Sequence, residues 1–268
     1  MSKPTLSSAR AFLLDGDGVL YRGLQPLPGA REFIAALTAA GAPFLLLTNN
    51  AALTPEQVAA KLAGMAIPIG SQQIFTAAQA TASWLATHHP GRGRVLVVGE
   101  AGLLMALRDA GFTLVEDHRQ AELVVAGLDR TLTYAKLAEA TLAIGRGCPF
   151  VGSNPDRSLP TERGVEPGAG AVLAFLAAAS GVTPPVIGKP QPAFFEQALA
   201  RLGVAAANAV MVGDRYETDI LGGANAGLRT AAVLTGISSA AEFAAADPPP
   251  TWVFADLVAL LAAWQQLP

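Results

Sequence analysis

Short, unbroken apolar runs recur along the chain, among them AFLL at 11–14, FLLL at 44–47, VLVV at 95–98, LVVA at 123–126 and VMV at 210–212. Most give way to stretches with helical spacing. A strand with one face in water alternates apolar and polar residues, whereas a run that is apolar throughout needs cover on both faces. Such strands alternating with helices specify an α/β fold around a parallel sheet. Local signals agree. The helix that begins in PLPGA should end at Gly41, a residue type suited to a helix C-terminus. In LTPEQ, Thr54 reads as an N-cap, Pro55 as the first helical residue and Gln57 as the partner in a capping box. No fixed-period repeat or low-complexity linker breaks the alternation.

The polar residues fall at telling places. FLLDGDGVLYRG sets Asp15 and Asp17 directly after the first strand, and Thr48 to Asn50 follow the second. Lys189 follows the apolar VIG, and Asp214 follows VMVG. In an open parallel sheet the ligand crevice lies at the carboxyl ends of the strands, so all four groups would face it. Asp and Gly are also ordinary turn residues, which is the plain alternative for Asp15 and Asp17 taken alone. Were Asp15, Asp17, Asp214 and Asp219 to converge, two unit charges ~4 Å apart would repel by roughly 4 kcal/mol at an effective dielectric near 20. A cation would be needed among them, and a few hard carboxylate oxygens suit Mg²⁺. Thr48 and Asn49 could cap the next helix, but Thr54 already does so. A hydroxyl and exposed N–H groups after a strand also make a cradle for phosphate oxygens. Lys189, held before Pro190, reads as a fixed charge beside a phosphate in preference to a surface lysine. Asp219 has three readings: a role at the cation, a cap for ILGGANAG, or a group that orients Lys189.

Composition narrows the rest. The 268 residues leave room for two domains, and the net charge of −3 comes from scattered residues with no basic block, which argues against nucleic acid as a partner. No apolar run approaches the ~18–20 residues of a membrane span, and MSKPTLSSAR lacks a signal-peptide core, so a cytoplasmic protein is expected. The single cysteine, Cys148, reads as a small buried hydrophobe. His88 and His89, before Pro90, read as a solvated pair. Ser153 and Ser158 have no neighbouring histidine, and GAGAVL at 168–173 lacks the third glycine of a dinucleotide fingerprint.

Taken in order, DGDGVL, LLLTNN, VIGKPQP and MVGDRYETDI resemble the four motifs of the haloacid dehalogenase superfamily. The flanking YRG, PLPGA, VVAGLDR, SNPD and PGAGA are similar to its NagD/para-nitrophenyl phosphatase branch. The resemblance covers essentially the whole chain. It implies a Rossmann-like, doubly wound core at 1–78 and 184–268, interrupted by a smaller α/β cap at about 79–183. It also implies a Mg²⁺-dependent phosphatase for small phosphorylated metabolites that works through an aspartyl-phosphate. Asp15 would be the nucleophile and Asp17 the general acid/base. Thr48 and the backbone near Asn49 would hold the phosphoryl group, and Lys189 would neutralise it. Asp15, the main-chain carbonyl of Asp17 and Asp214 would ligate Mg²⁺, with Asp219 in support. Ala51 and Ala52 stand where branch members commonly carry two serines. A phosphonatase or dehalogenase of the same superfamily is the rival enzyme reading. The phosphonatase would need a Schiff-base lysine in the cap, where Lys136 is the lysine on offer. A catalytically silent phospho-ligand-binding protein is the rival outside enzymes. Substrate selection is expected in the cap, around Asp129–Arg130 and Asn154–Asp156, with Arg130 available for an anionic substrate tail, for Asp129 or for solvent. A homodimer is left open.

Overall fold

The computed structural model describes residues 5–91, 93–161 and 163–266. Ten strands form two sheets: β1 (Ala11–Leu14), β2 (Phe44–Thr48), β3 (Ile74–Thr76), β4 (Arg94–Val98), β5 (Thr113–Val115), β6 (Leu123–Ala126), β7 (Phe150–Gly152), β8 (Ala209–Gly213), β9 (Arg229–Val233) and β10 (Trp252–Phe254). The chain divides into two compact units. One comprises residues up to Thr48, Val58–Phe75 and the chain from Lys189 on; the other comprises Asn49–Gln57 and Thr76–Gly188.

In the first unit the strand order is β10-β9-β8-β1-β2-β3. β1 runs parallel to both β2 and β8, with Leu14 opposite Leu46 on one side and Val212 on the other. Every residue of β1 and β8 is buried, as their unbroken apolar character requires. Helices Ala30–Ala39 and Leu257–Gln265 bring Phe33 and Trp264 edge-on to Phe12, with ring centroids 5.5 and 5.3 Å away. Fully burying one such aromatic ring contributes roughly 1.5–3 kcal/mol. This packing fixes β1, and hence the residues that follow it, between two neighbouring strand ends.

The second unit holds a four-stranded parallel sheet in the order β5-β4-β6-β7. Its core joins Leu96, Val124 and Phe150 to Ile144 of helix Tyr134–Gly145 and Leu176 of helix Ala169–Ser180. The longer segment of this unit runs from Thr76 to Gly188, against the 79–183 read from the sequence. Thr76 caps helix Ala77–His88, accepting from the Gln79 N–H at 3.2 Å and donating its own N–H to Gln79 Oε1 at 3.1 Å. The segment Asn49–Gln57 joins this unit because the Gly102 N–H donates to the Ala52 carbonyl at 2.9 Å.

Two further elements differ from the sequence reading. VIG at 186–188 is not a strand: Val186 makes a single bridge to Gly152, and Lys189 lies on the loop before helix Pro192–Leu202. The segment after Asp214 begins as a π-helical turn over Tyr216–Leu221 and becomes α-helical only at Gly222–Asn225. Two antiparallel hairpins, Tyr21–Arg22 with Gln25–Pro26 and Ser158–Thr161 with Gly164–Pro167, were not foreseen. The described capping box at Thr54 matches expectation, with Gln57 N–H donating to Thr54 Oγ1 at 3.3 Å. Among the described residues no helix is long and apolar enough to cross a membrane.

Candidate active site

β1 ends by delivering Asp15, whose N–H continues the ladder by donating to the Val212 carbonyl at 2.9 Å. β8 ends one strand away by delivering Asp214. Between them stands Lys189, only 2% exposed, whose Nζ donates to Asp15 Oδ1 and to Asp219 Oδ1, the latter at 2.8 Å. Carboxylate oxygens of Asp15, Asp214 and Asp219 lie within 4.8 Å of one another. Asp219 therefore orients Lys189. Its second oxygen accepts from the Arg215 N–H at 3.2 Å, tying it to the turn below Asp214. Asp214 itself accepts from the Ile237 N–H at 2.7 Å. Gly18 has φ +84 and faces this carboxylate so closely that a Cβ would overlap it, so the second glycine of DGDG is required twice over.

The charges of this cluster do not balance. Burial raises the Asp15 carboxyl above its usual range. Lys189 pulls it down, while Asp219 and Asp214 push it further up. Asp214 is pushed up to about 6 by burial and by Asp219, against the Ile237 N–H, Lys189 and Arg215. Burial works against the Lys189 ammonium, but Asp15 and Asp219 outweigh it and its pKa is raised. Three carboxylates thus share one ammonium, which leaves the cluster short of positive charge. Hard oxygen donors with excess negative charge are a fitting site for a small divalent cation.

Asp17 departs from the expected convergence. Its side chain is exposed and stands outside the carboxylate cluster. Asp17 instead bridges Tyr21 through its backbone, where the Gly18 N–H donates to the Tyr21 carbonyl at 2.8 Å. DGDG is therefore a tight turn that feeds the Tyr21–Pro26 hairpin. Surrounding protein still raises the Asp17 carboxyl, opposed by the charges of Lys61, Arg22 and Arg215. Thr48 closes β2, half-buried and next along the sheet from Asp15.

Asn49 belongs to the second unit, where its carbonyl accepts from Asn154 Nδ2 at 2.7 Å. Asn154 is buried, and its Oδ1 accepts from the Asp156 N–H at 3.2 Å, so SNPD is a structured turn. Arg130 is not paired with Asp129. Its guanidinium grips Glu100 at 2.9 and 2.8 Å, and its N–H donates to the same carboxylate at 2.8 Å. Asp129, with its side chain fully buried, pairs with Lys136 at 2.8 Å and also accepts from Thr131. The sequence reading singles out neither Glu100 nor Tyr21; Glu100 follows β4 as Asp129 follows β6, and that shared position is the available signal for Glu100. Cys148 is half-buried rather than buried, its thiol 3.2 Å from the Ala121 carbonyl. His88 is exposed and stacks on Trp84 at 3.9 Å.

These features define an α/β protein with a parallel sheet whose central strand ends carry clustered carboxylates beside a buried lysine. The family model of haloacid dehalogenase-like hydrolases matches residues 12–113, and a second HAD-like hydrolase model matches residues 186–260. The chain is 42% identical over 248 residues to the acid sugar phosphatase of Staphylococcus aureus (strain USA300), covering 92% of this chain and 95% of that one. It is similar in structure to a double mutant of the thermostable NPPase from Geobacillus stearothermophilus, with 40% identity, TM-score 0.87, and coverage of 93% of this chain and 97% of that one. It is also similar to the glycerol phosphate phosphatase of Mycobacterium tuberculosis solved in complex with magnesium, with 37% identity, TM-score 0.90, and coverage of 97% of this chain and 78% of that one. The chain belongs to the haloacid dehalogenase-like hydrolases, in their NagD-like branch of phosphatases.

Proposed function

We propose that this protein is a Mg²⁺-dependent phosphatase that hydrolyses small-molecule phosphate monoesters through an aspartyl-phosphate on Asp15. The observation that carries the reading is Lys189, buried and bonded to both Asp15 and Asp219 beside Asp214. Buried ion pairs are often replaceable as a whole by apolar residues without loss of stability, so stability alone does not account for such a cluster; a phosphoryl group beside it does.

In the first step an oxygen of Asp15 attacks phosphorus, and the bond from phosphorus to the ester oxygen breaks. The departing alkoxide takes a proton from Asp17, which stands on the same turn with its carboxyl raised above the usual range. In the second step Asp17, now ionised, removes a proton from water. That water attacks phosphorus, releases inorganic phosphate and restores the Asp15 carboxylate. Lys189 holds Asp15 in place through both steps and offsets the negative charge of the transferring group. The Thr48 hydroxyl and the backbone near Asn49 would hold the phosphoryl oxygens. Asp15, the Asp17 main-chain carbonyl and Asp214 would hold Mg²⁺, with Asp219 in support; when bound, the ion supplies positive charge against the phosphoryl oxygens. Asp17 can act on the ester oxygen because it lies outside the cluster, free of a carboxylate neighbour.

Small phosphorylated metabolites are the candidate substrates, since an acid sugar phosphatase and a glycerol phosphate phosphatase are among the similar proteins. A phosphonatase is disfavoured because Lys136, its candidate Schiff-base lysine, is committed to Asp129 and Thr131. The test is release of para-nitrophenol from para-nitrophenyl phosphate with and without Mg²⁺, followed by a panel of phosphorylated metabolites. Metal-dependent turnover supports the reading, and no turnover of any ester in metal-loaded, folded protein refutes it.

A further inference from the structure

A second lysine stands near the nucleophile's turn with no acid in contact with it. Lys61, on helix Pro55–Gly64, is half-buried and places its Nζ 4.0 Å from the centre of the Tyr21 ring. Tyr21 is itself 7% exposed. Its backbone is bridged to Asp17, and its hydroxyl lies against Gly16. The ring is therefore a fixed pedestal built on the DGDG turn. Among the described residues Lys61 donates no hydrogen bond and joins no ion pair.

The ordinary account of such a lysine is a stem lying on apolar surface with its head in water. Two facts weigh against it. Burial lowers the Lys61 pKa, so its head is partly withdrawn from solvent, and the carboxylate whose charge acts on it is Asp17. Arg22 and Arg215 act on the same carboxylate, but Arg22 is engaged, its guanidinium donating to the Thr235 carbonyl at 2.6 Å. Holding an ammonium over an aromatic face contributes about 0.5–2 kcal/mol, which fixes its position and leaves its hydrogen-bond donors available for an anion.

We infer that Lys61, seated on Tyr21, binds a second anionic group on the alcohol portion of the substrate, and so selects phosphate monoesters whose leaving group carries its own negative charge. The inference rests on the phosphatase reading above and deepens it. Lys189 serves the phosphoryl side of the bond to be broken. Asp17 is the residue that meets the ester oxygen, so a cation beside Asp17 and apart from Lys189 stands on the leaving-group side. An anion there would meet Lys61 directly.

The test compares two esters that differ only at the far carbon: glycerol 3-phosphate, which ends in a hydroxymethyl group, and 3-phosphoglycerate, which ends in a carboxylate. In the wild type kcat/KM should favour 3-phosphoglycerate. In Lys61→Met, which keeps the stem, the ratio of the two kcat/KM values should fall about 10–100-fold, the size of a lost hydrogen bond to a charged group. Lys61→Arg should restore most of the ratio. A wild type that favours glycerol 3-phosphate overturns the inference without any variant. So does a Lys61→Met ratio equal to the wild-type ratio, including the case in which both rates fall together. Hydrolysis of para-nitrophenyl phosphate by the wild type separates the two levels. If it proceeds while the ratio ignores Lys61, this inference alone fails; if no ester is hydrolysed, the phosphatase reading fails and takes the inference with it.

Discussion

Replacing Lys189 by methionine keeps the volume of the side chain and removes the one ammonium among three buried carboxylates. Its head is nearly inaccessible to water, so no solvent takes its place at Asp15 and Asp219. Breaking a buried pair by removing one partner costs about 3–5 kcal/mol. For a chain of this size each kcal/mol moves Tm by roughly 2–4 °C, so chelated Lys189→Met should melt about 6–20 °C below the wild type. The loss should depend on pH with a definite sign. Asp15 and Asp214 already have folded-state pKa values above their unfolded values, and removing Lys189 raises Asp15 further. Between those values the folded state keeps protons that the unfolded state has released, so stability rises as pH falls. Each such group recovers at most about 1.4 kcal/mol per pH unit. The Tm gap between variant and wild type should therefore narrow by several degrees between pH 8 and pH 6, read by scanning fluorimetry in EDTA. Added Mg²⁺ should narrow it too. A gap under about 2 °C at pH 8, or one that widens on acidification, would show that Lys189 is not the charge holding these carboxylates together.

Asp15→Asn should abolish turnover with the melting temperature retained; a folded variant with near wild-type activity would remove Asp15 as nucleophile. Asp17→Asn should lower kcat about 10²–10⁴-fold on an alkyl phosphate and less on para-nitrophenyl phosphate, whose leaving group hardly needs a proton. Equal losses on both would count against its role as the acid. Chelation should silence the wild type and Mg²⁺ restore it, while Asp214→Ala should raise the Mg²⁺ concentration needed for half-maximal activity; full activity after exhaustive chelation would take the metal out of the reaction. Arg130→Ala should unsettle the Glu100 strand end and lower Tm with little change in the ranking of substrates, since its guanidinium is already committed. A reordered ranking with unchanged Tm would return Arg130 to the substrate.

What could be read from the sequence was what depends on neighbours along the chain. β1 and β8 were legible because a run buried at every position must be apolar at every position, and Asp15 and Asp214 follow from where those runs stop. The Thr54 box was legible because its two partners are three residues apart. Lys189 was placed on a strand, but the prolines at 184, 185 and 190 flank too short a segment, and proline cannot donate to a ladder. The direction of Asp17 was hidden because a turn rich in glycine does not fix which way its side chains point. Arg130 met Glu100 across 30 residues, a pairing that follows from β4 lying beside β6 and from nothing local.

The charges explain why the two lysines are set so differently. Lys189 faces three carboxylates and is buried among them, so its charge is shared with them before any ligand arrives. A divalent cation bound to the same carboxylates would bring the cluster close to neutral. A phosphate monoester would then add its own negative charge, met by Lys189, which is already shared with the carboxylates, by the Thr48 hydroxyl and by backbone N–H groups. Lys61 is held on a ring with no carboxylate in contact, so its charge is offset only at a distance, by Asp17. An acid in direct contact would have left less to offer an anion. On this account adding an acid at the Lys61 head should weaken ester binding, as measured by KM, more than it alters the stability of the fold.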